Sequence, residues 1–255
     1  MKIMVASDLH LEHNVGGVCQ VIPENAFYQR PDVIVLAGDI DTSSNLEESL
    51  HDICDTFIDI PVIFVPGNHE YYSRLYDFEY IQNRLRNIID RLKQKFDIRY
   101  LDNSSTTIDD INFYGGCMWS DVKHGDQYSV TCGDEDMIGM TIEQSRKLHA
   151  QFKAGLDDHI AVHGLETSVV VSHFSPSMRY SHPGFSKDGH AHYFSANMDQ
   201  YIDSKLKAWI FGHTHASVYD VAKNGTQVIS CQQGYGFEKG SIYLDDPKPF
   251  SMFDI

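Results

Sequence analysis

The sequence predicts an α/β fold. Three observations point there: short unbroken apolar runs, helical periodicity between them, and runs that end abruptly in polar motifs. Residues 2–7 (Lys-Ile-Met-Val-Ala-Ser), Val33–Ala37 and Val62–Val65 are the first three runs. Continuous apolar runs of this length suit strands covered on both faces, where no side chain looks at water. Between the second and third, Leu46, Leu50, Ile53 and Phe57 recur at helical spacing over 46–58, with Asn45 placed as N-cap.

A long amphipathic helix is expected over 78–96. Ile81, Leu85, Ile88, Ile89, Leu92 and Phe96 share one face, and Arg and Lys occupy the other. Short strands at 106–108 and 112–115 flank Asp109-Asp110, a hairpin turn. Residues 117–140 hold few periodic apolar side chains and read as an irregular excursion on the substrate rim. A helix over 141–156 and a strand at Ser168–Ser172 follow. Residues 174–193 are loop-like, with Pro176, Pro183, Gly184 and Gly189. A helix over 196–206 leads into a strand at 208–211. Strands at 217–222 and Gln227–Ser230 form a hairpin across Asn224-Gly225. No repeat or linker interrupts this pattern, so residues 1–255 are expected to form a single domain, with the two loop excursions as embellishments. The 255 residues, 42% hydrophobic, suffice for one sizeable core.

The formal net charge is -16. Such a surface repels nucleic-acid backbones and anionic membranes at long range, which argues against either as a partner. It does not repel a small phosphate ester whose positive counter-charge is supplied locally by metal. Cys19, Cys54, Cys117, Cys132 and Cys231 are scattered and form no Cys-x-x-Cys pair, which speaks against a disulfide framework or a cysteine zinc site. The N-terminal apolar run reaches Asp8 too soon for a signal peptide, and no stretch approaches the ~20 apolar residues of a membrane span. A cytoplasmic setting is expected.

Five of the strands end in residues that bind metals. They run into Asp8-Leu9-His10, Gly38-Asp39, Gly67-Asn68-His69-Glu70, His173 and Gly212-His213-Thr214-His215. Taken singly, each has an ordinary explanation: a capping Asp, a Gly-Asp or Gly-Asn turn, a structural His. Taken together and in this order, they outweigh it, because open α/β sheets gather ligands at the carboxyl ends of their strands. The ligand chemistry agrees. Two divalent ions bring four positive charges, while Asp8, Asp39 and a bridging hydroxide return three. The imidazoles of His10, His173, His213 and His215 and the amide of Asn68 return none. A residual charge of about +1 remains to attract phosphate. Mixed imidazole and carboxylate donors suit Mn, Fe, Zn, Co or Ni better than Ca.

This series of motifs, complete from residue 8 to residue 215, resembles the calcineurin-like metallophosphoesterase superfamily. Trp119-Ser120-Asp121 and Gly234-Tyr235 also resemble segments of its bacterial members. The resemblance implies a four-layer α/β/β/α sandwich. It implies one metal on Asp8, His10, Asp39 and His215, and another on Asp39, Asn68, His173 and His213. A hydroxide bridging the two would attack phosphorus in line. His69 would contact the phosphate and protonate the leaving oxygen, with Glu70 orienting its imidazole.

In one respect the chain departs from the family's protein phosphatases, which carry an Arg shortly after Gly-Asp. Here Ile-Asp-Thr-Ser-Ser follows Asp39. Less positive charge on the phosphate favours phosphodiesters or small phosphorylated metabolites over phosphoproteins, unless Arg74, Arg179 or Lys187 reaches in from a loop. His182, His190 and His192, in the loop after His173, either rim the pocket or are surface histidines, of which the second is the expectation. The competing readings are a protein or nucleotide phosphomonoesterase, a nuclease, and a non-enzymatic scaffold. The acidic balance opposes the nuclease, and the intact set of ligand positions opposes the scaffold.

Overall fold

The computed structural model describes residues 1–13, 16–28, 30–121, 133–182, 191–238 and 249–255. Its first sheet holds β1 (Lys2–Ala6), β2 (Val33–Ala37), β3 (Val62–Val65) and β4 (Ile98–Tyr100), all parallel. The sheet's β11 (Ser251–Asp254) pairs antiparallel with β1, giving the order β11-β1-β2-β3-β4. The second sheet holds β5 (Ser104–Ile108), β6 (Ile111–Gly116), β7 (Ser168–Ser172), β8 (Ala208–Ile210), β9 (Val218–Val221) and β10 (Gln227–Ser230). Its order is β5-β6-β7-β8-β10-β9, with a parallel centre and antiparallel edges. The helices are α1 (Val18–Val21), α2 (Leu46–Thr56), α3 (Phe78–Leu92), α4 (Gly133–Ile138), α5 (Ile142–His163), α6 (Ala191–Phe194) and α7 (Asp199–Ile202).

Strand alternation divides the core between layers. Ile3 and Val5 of β1, Val33 and Val35 of β2 and Ile63 and Val65 of β3 meet Phe113, Val169, Val171, Ile210 and Ile229 from the second sheet. Their neighbours Met4, Ile34, Leu36 and Phe64 face the other way and cluster with Leu50 and Ile53 of α2 and Ile81, Leu85 and Ile88 of α3. On the far side, Tyr114 of β6 packs edge-on against Phe152 of α5, and its hydroxyl donates to the Phe152 carbonyl at 2.8 Å. Helices, sheet, sheet and helix form a four-layer α/β/β/α sandwich, in which each fully buried Val, Leu or Ile contributes roughly 1.5–3 kcal/mol. Among the described residues no helix is long and apolar enough to cross a membrane.

The local signals hold with exceptions. The Asp77 side chain caps α3 by accepting from Tyr80 N–H at 2.8 Å, and Thr141 with Gln144 forms a capping box on α5. Asn45 stands at the start of α2, but its side chain makes no cap bond. The helix expected over 196–206 shrinks to Asp199–Ile202. The N–H groups of Ala196 and Met198 donate to the carbonyls of Ser175 and Pro176, which ties the stretch before the helix to the segment after β7. The helix expected to end at 156 continues to His163, where Gly164 at φ 79° stops it. Strands β4 and β11, only three and four residues long, escaped the periodicity reading. Helix α4 lies inside the first expected loop excursion and α6 starts at the end of the second; residues 122–132 and 183–190 of these excursions fall outside the described residues.

Candidate active site

The strand ends set out the site. After β1 come Asp8 and His10, after β2 Asp39, after β3 Asn68 and His69, after β7 His173, and after β8 His213 and His215. Ligand atoms of Asp8, His10 and His215 lie within 4.8 Å of one another, as do those of Asp39, His173 and His213. Asn68 joins the second group through its Oδ1, 2.9 Å from His173 Nε2. His10 Nε2 is 3.8 Å from Asp39 Oδ2, so Asp39 stands between the two groups.

Gathering these side chains requires unusual backbone. Asp8 (φ 52°), His10 (45°), Asp39 (54°), His213 (69°) and His215 (50°) all sit in the left-handed region. Such conformers cost of order 1–3 kcal/mol each, a cost characteristic of functional sites. The neighbouring glycines supply clearance. A Cβ on Gly67 would collide with Asp39 Oδ1, and one on Gly212 would collide with Asp8 Oδ2.

The hydrogen-bond pattern shows what this cluster fits. His173 Nδ1–H donates to the Ala37 carbonyl at 2.8 Å, which turns its Nε2 toward the site. That nitrogen faces Asn68 Oδ1 at 2.9 Å and Asp39 Oδ2 at 3.3 Å. The Asn68 amide is turned this way because its Nδ2 donates to Asp134 Oδ1 and to the Tyr72 hydroxyl, both at 2.9 Å. In the other group, His10 Nδ1–H donates to Glu12 Oε1 at 3.1 Å and His215 Nδ1–H to Glu238 Oε2 at 2.7 Å. Their Nε2 atoms then confront each other at 3.0 Å. Imidazole and carboxylate ligand atoms gathered this closely in two adjacent groups suit divalent cations. The donor set of imidazoles, carboxylates and one amide oxygen fits divalent metal ions.

The electrostatics agree. Burial disfavours charge on Asp39, but the imidazoles of His173 and His69 outweigh it and hold the carboxyl well below its ordinary range. Burial likewise opposes a charge on His173, yet Asp39 pushes it up to about 10. The carboxylates thus draw positive charge into a buried space. His213 is held low by burial, followed by the repulsion of His173.

His69 lies beside the cluster, its Nε2 3.9 Å from Asp39 Oδ2. The expected support from Glu70 is not what the structure holds. Glu70 Oε2 accepts from the backbone N–H of Asp39 at 3.0 Å and of Gly67 at 2.6 Å, and Oε1 accepts from Ile40 at 2.7 Å. Glu70 therefore locks the Gly-Asp and Gly-Asn turns together, and its carboxylate is consumed by backbone. Glu12 takes its place: His69 Nδ1–H donates to Glu12 Oε1 at 2.9 Å. Burial would raise Glu12, but the hydrogen bonds from His10 and His69 hold it at about 2. Burial also opposes a charge on His69, but Asp39 and Glu12 push it up to about 9. On the other side, the Tyr235 hydroxyl is 3.0 Å from His69 Nε2, and burial raises that phenol above its ordinary value.

Sequence reasoning therefore missed Glu12, Asp134, Tyr72 and Glu238. The alternation Asp8-x-His10-x-Glu12 was a usable signal for the first, while the others have none. Of the loop cations, Arg179 is held by Asp199 and Asp203 at 2.9 and 3.2 Å, and Arg74 is exposed. His182 is buried, contrary to the surface position expected of it, and His192 is half-buried. His190 and Lys187 fall outside the described residues.

The family model described as calcineurin-like phosphoesterase matches residues 1–217. Protein L509 of Acanthamoeba polyphaga mimivirus is 21% identical over 279 residues, covering 100% of this chain and 97% of the relative. Among solved structures, the phosphopantetheinyl hydrolase of Mycobacterium tuberculosis superposes with a TM-score of 0.65 at 18% identity, covering 96% of each chain. That likeness is one of fold.

Proposed function

The chain belongs to the calcineurin-like phosphoesterase family of metal-dependent hydrolases, and on that premise we propose that it cleaves phosphodiesters or small phosphorylated metabolites. One observation carries the reading: ligand atoms of Asp8, His10 and His215, and of Asp39, His173 and His213, gather within 4.8 Å of one another in two adjacent groups, with Asn68 Oδ1 beside the second. Two divalent cations held there supply, when bound, charge for the phosphoryl oxygens and acidity for the attacking water.

The chain's own groups do the rest. Asp39, between the two ligand groups, fixes their separation. Glu70 clamps the turns that carry Asp39 and Asn68. His69, steadied by Glu12 at Nδ1, presents Nε2 toward the cluster and can hand a proton to the departing oxygen. The preference for esters of low charge rests on the side chains around the cluster. Among the described residues no Lys or Arg bonds to any member of it, and Glu12, Asp134 and Glu238 place carboxylates directly behind it. A dianionic monoester meets more repulsion there than a monoanionic diester.

The test is a screen of phosphomonoesters and phosphodiesters with purified protein and Mn, Fe, Zn, Co or Ni, beside elemental analysis of bound metal. Close to two metal ions per chain, diester turnover above monoester turnover, and loss of activity with chelator are expected. A protein that takes up no metal from any of these solutions defeats the reading.

A further inference from the structure

Tyr235 spans two parts of the site. Its ring lies over the first ligand group, with centroids 4.3 Å from His10 and 4.6 Å from His215, while its hydroxyl reaches His69. Its backbone is anchored to the same group. Gly234 N–H donates to the Asp8 carbonyl at 3.0 Å and Gln233 N–H to the Ser7 carbonyl at 3.1 Å. Tyr235 N–H donates to Glu238 Oε2 at 2.7 Å, the oxygen that also accepts from His215 Nδ1 at 2.7 Å. One carboxylate oxygen therefore fixes both a candidate ligand and this tyrosine, and the turn that delivers it is made by Gly234 at φ 66°. A side chain anchored this way loses little freedom when it engages a ligand.

The hydroxyl is also a suitable chemical group for this position. A phosphoryl oxygen at the cluster needs donors, and a hydroxyl has one hydrogen and two lone pairs, so it can donate to an anionic oxygen while a lone pair faces the His69 N–H until that proton passes to the leaving oxygen. Glu12 holds the imidazole that the hydroxyl touches, and Glu238 accepts from the Tyr235 N–H. A neutral donor with carboxylates behind it suits an anion of charge −1 better than a monoester, which carries about −1.5 to −2 near neutral pH.

We propose that Tyr235 contacts the substrate, donating a hydrogen bond to a phosphoryl oxygen, and so selects the monoanion of a phosphodiester over the dianion of a monoester. This inference rests on the phosphoesterase reading, and the two fail differently. Wild-type protein that turns over neither bis(4-nitrophenyl) phosphate nor 4-nitrophenyl phosphate with Mn²⁺ sinks the phosphoesterase reading before any variant is made.

Given that turnover, the full chain is compared with Tyr235→Phe and Tyr235→Arg. Mn²⁺ and dimethyl phosphate are each titrated calorimetrically, and kcat/KM is measured for both esters. Tyr235→Phe should keep Mn²⁺ affinity, weaken dimethyl phosphate about tenfold and lower diester kcat/KM about tenfold, the scale of one hydrogen bond to a charged group. Tyr235→Arg should raise the monoester-to-diester ratio about tenfold. Wild-type binding and turnover in Tyr235→Phe overturns the proposal. So does loss of Mn²⁺ from that variant, because the ring would then be bracing the ligands rather than meeting the substrate.

Discussion

Strand β2 and its tail pass through two environments within five residues. Val35 is 0% exposed and Asp39 1% exposed, yet they are buried for opposite reasons. Val35 sits between the sheets among Ile3, Val169 and Ile210, where fit and dispersion decide everything. Asp39 sits at the mouth of the same interface among His10, His69 and His173, in a left-handed conformation and with Gly67 cleared away from it. The same contrast separates Val5 from Asp8 on β1 and Ile210 from His213 on β8. Burial by itself therefore says little about what a position tolerates. Inside the sandwich a side chain can be exchanged for another of similar volume. At the strand ends its charge, its donor atom and its backbone angle are all constrained.

Substitutions on either side of that divide should separate stability from chemistry. Asp39→Asn is expected to have the largest effect. It removes the shared charge of both ligand groups, so metal content and turnover should both collapse while the fold persists. Near-normal activity would remove Asp39 from its bridging place. His69→Ala should retain metal and slow esters with poor leaving groups by about 10²–10⁴-fold, the usual contribution of a general acid. Equal slowing across good and poor leaving groups would argue against that role.

Glu12→Gln should be milder, about 10–100-fold in kcat, the scale seen when the partner of a working imidazole is altered. Because its Oε1 holds both His10 and His69, metal affinity and leaving-group sensitivity should change together. An effect confined to one of them would show that only one of the two bonds matters. Val35→Ala should be the smallest in kinetics. It should cost about 1–3 kcal/mol of stability, visible as a lower melting temperature, and leave kcat of the folded protein unchanged. A kinetic defect there would mean that the interface between the sheets and the site are not separable.

Most of the fold was legible because its causes are local. An unbroken apolar run such as Val33–Ala37 can only be a covered strand or a short buried helix, and the Gly-Asp that follows ends it. The four-layer arrangement itself came from the resemblance, not from periodicity. Errors fell where tertiary contacts overrode local preference. Ala196 and Met198 are tied by their N–H groups to Ser175 and Pro176 and lie outside the short helix Asp199–Ile202, and His182 is buried against the expectation for a loop histidine.

The candidate site divides along the same line. The sequence by itself determined the residue types at the strand ends, since a parallel strand delivers whatever follows it to one edge of the sheet. Only the tertiary structure decided which carboxylate serves which imidazole. Glu70 adjoins His69 in the chain yet is spent on the backbone N–H groups of Asp39, Ile40 and Gly67, while Glu12, 57 residues away from His69, holds the ring. Partnership between side chains depends on distance and direction in space, and neighbours along a turning backbone usually point apart. Tyr235 and Glu238 illustrate the same point from the chain's other end: their place beside His69 and His215 exists only once both sheets have closed around the ligands.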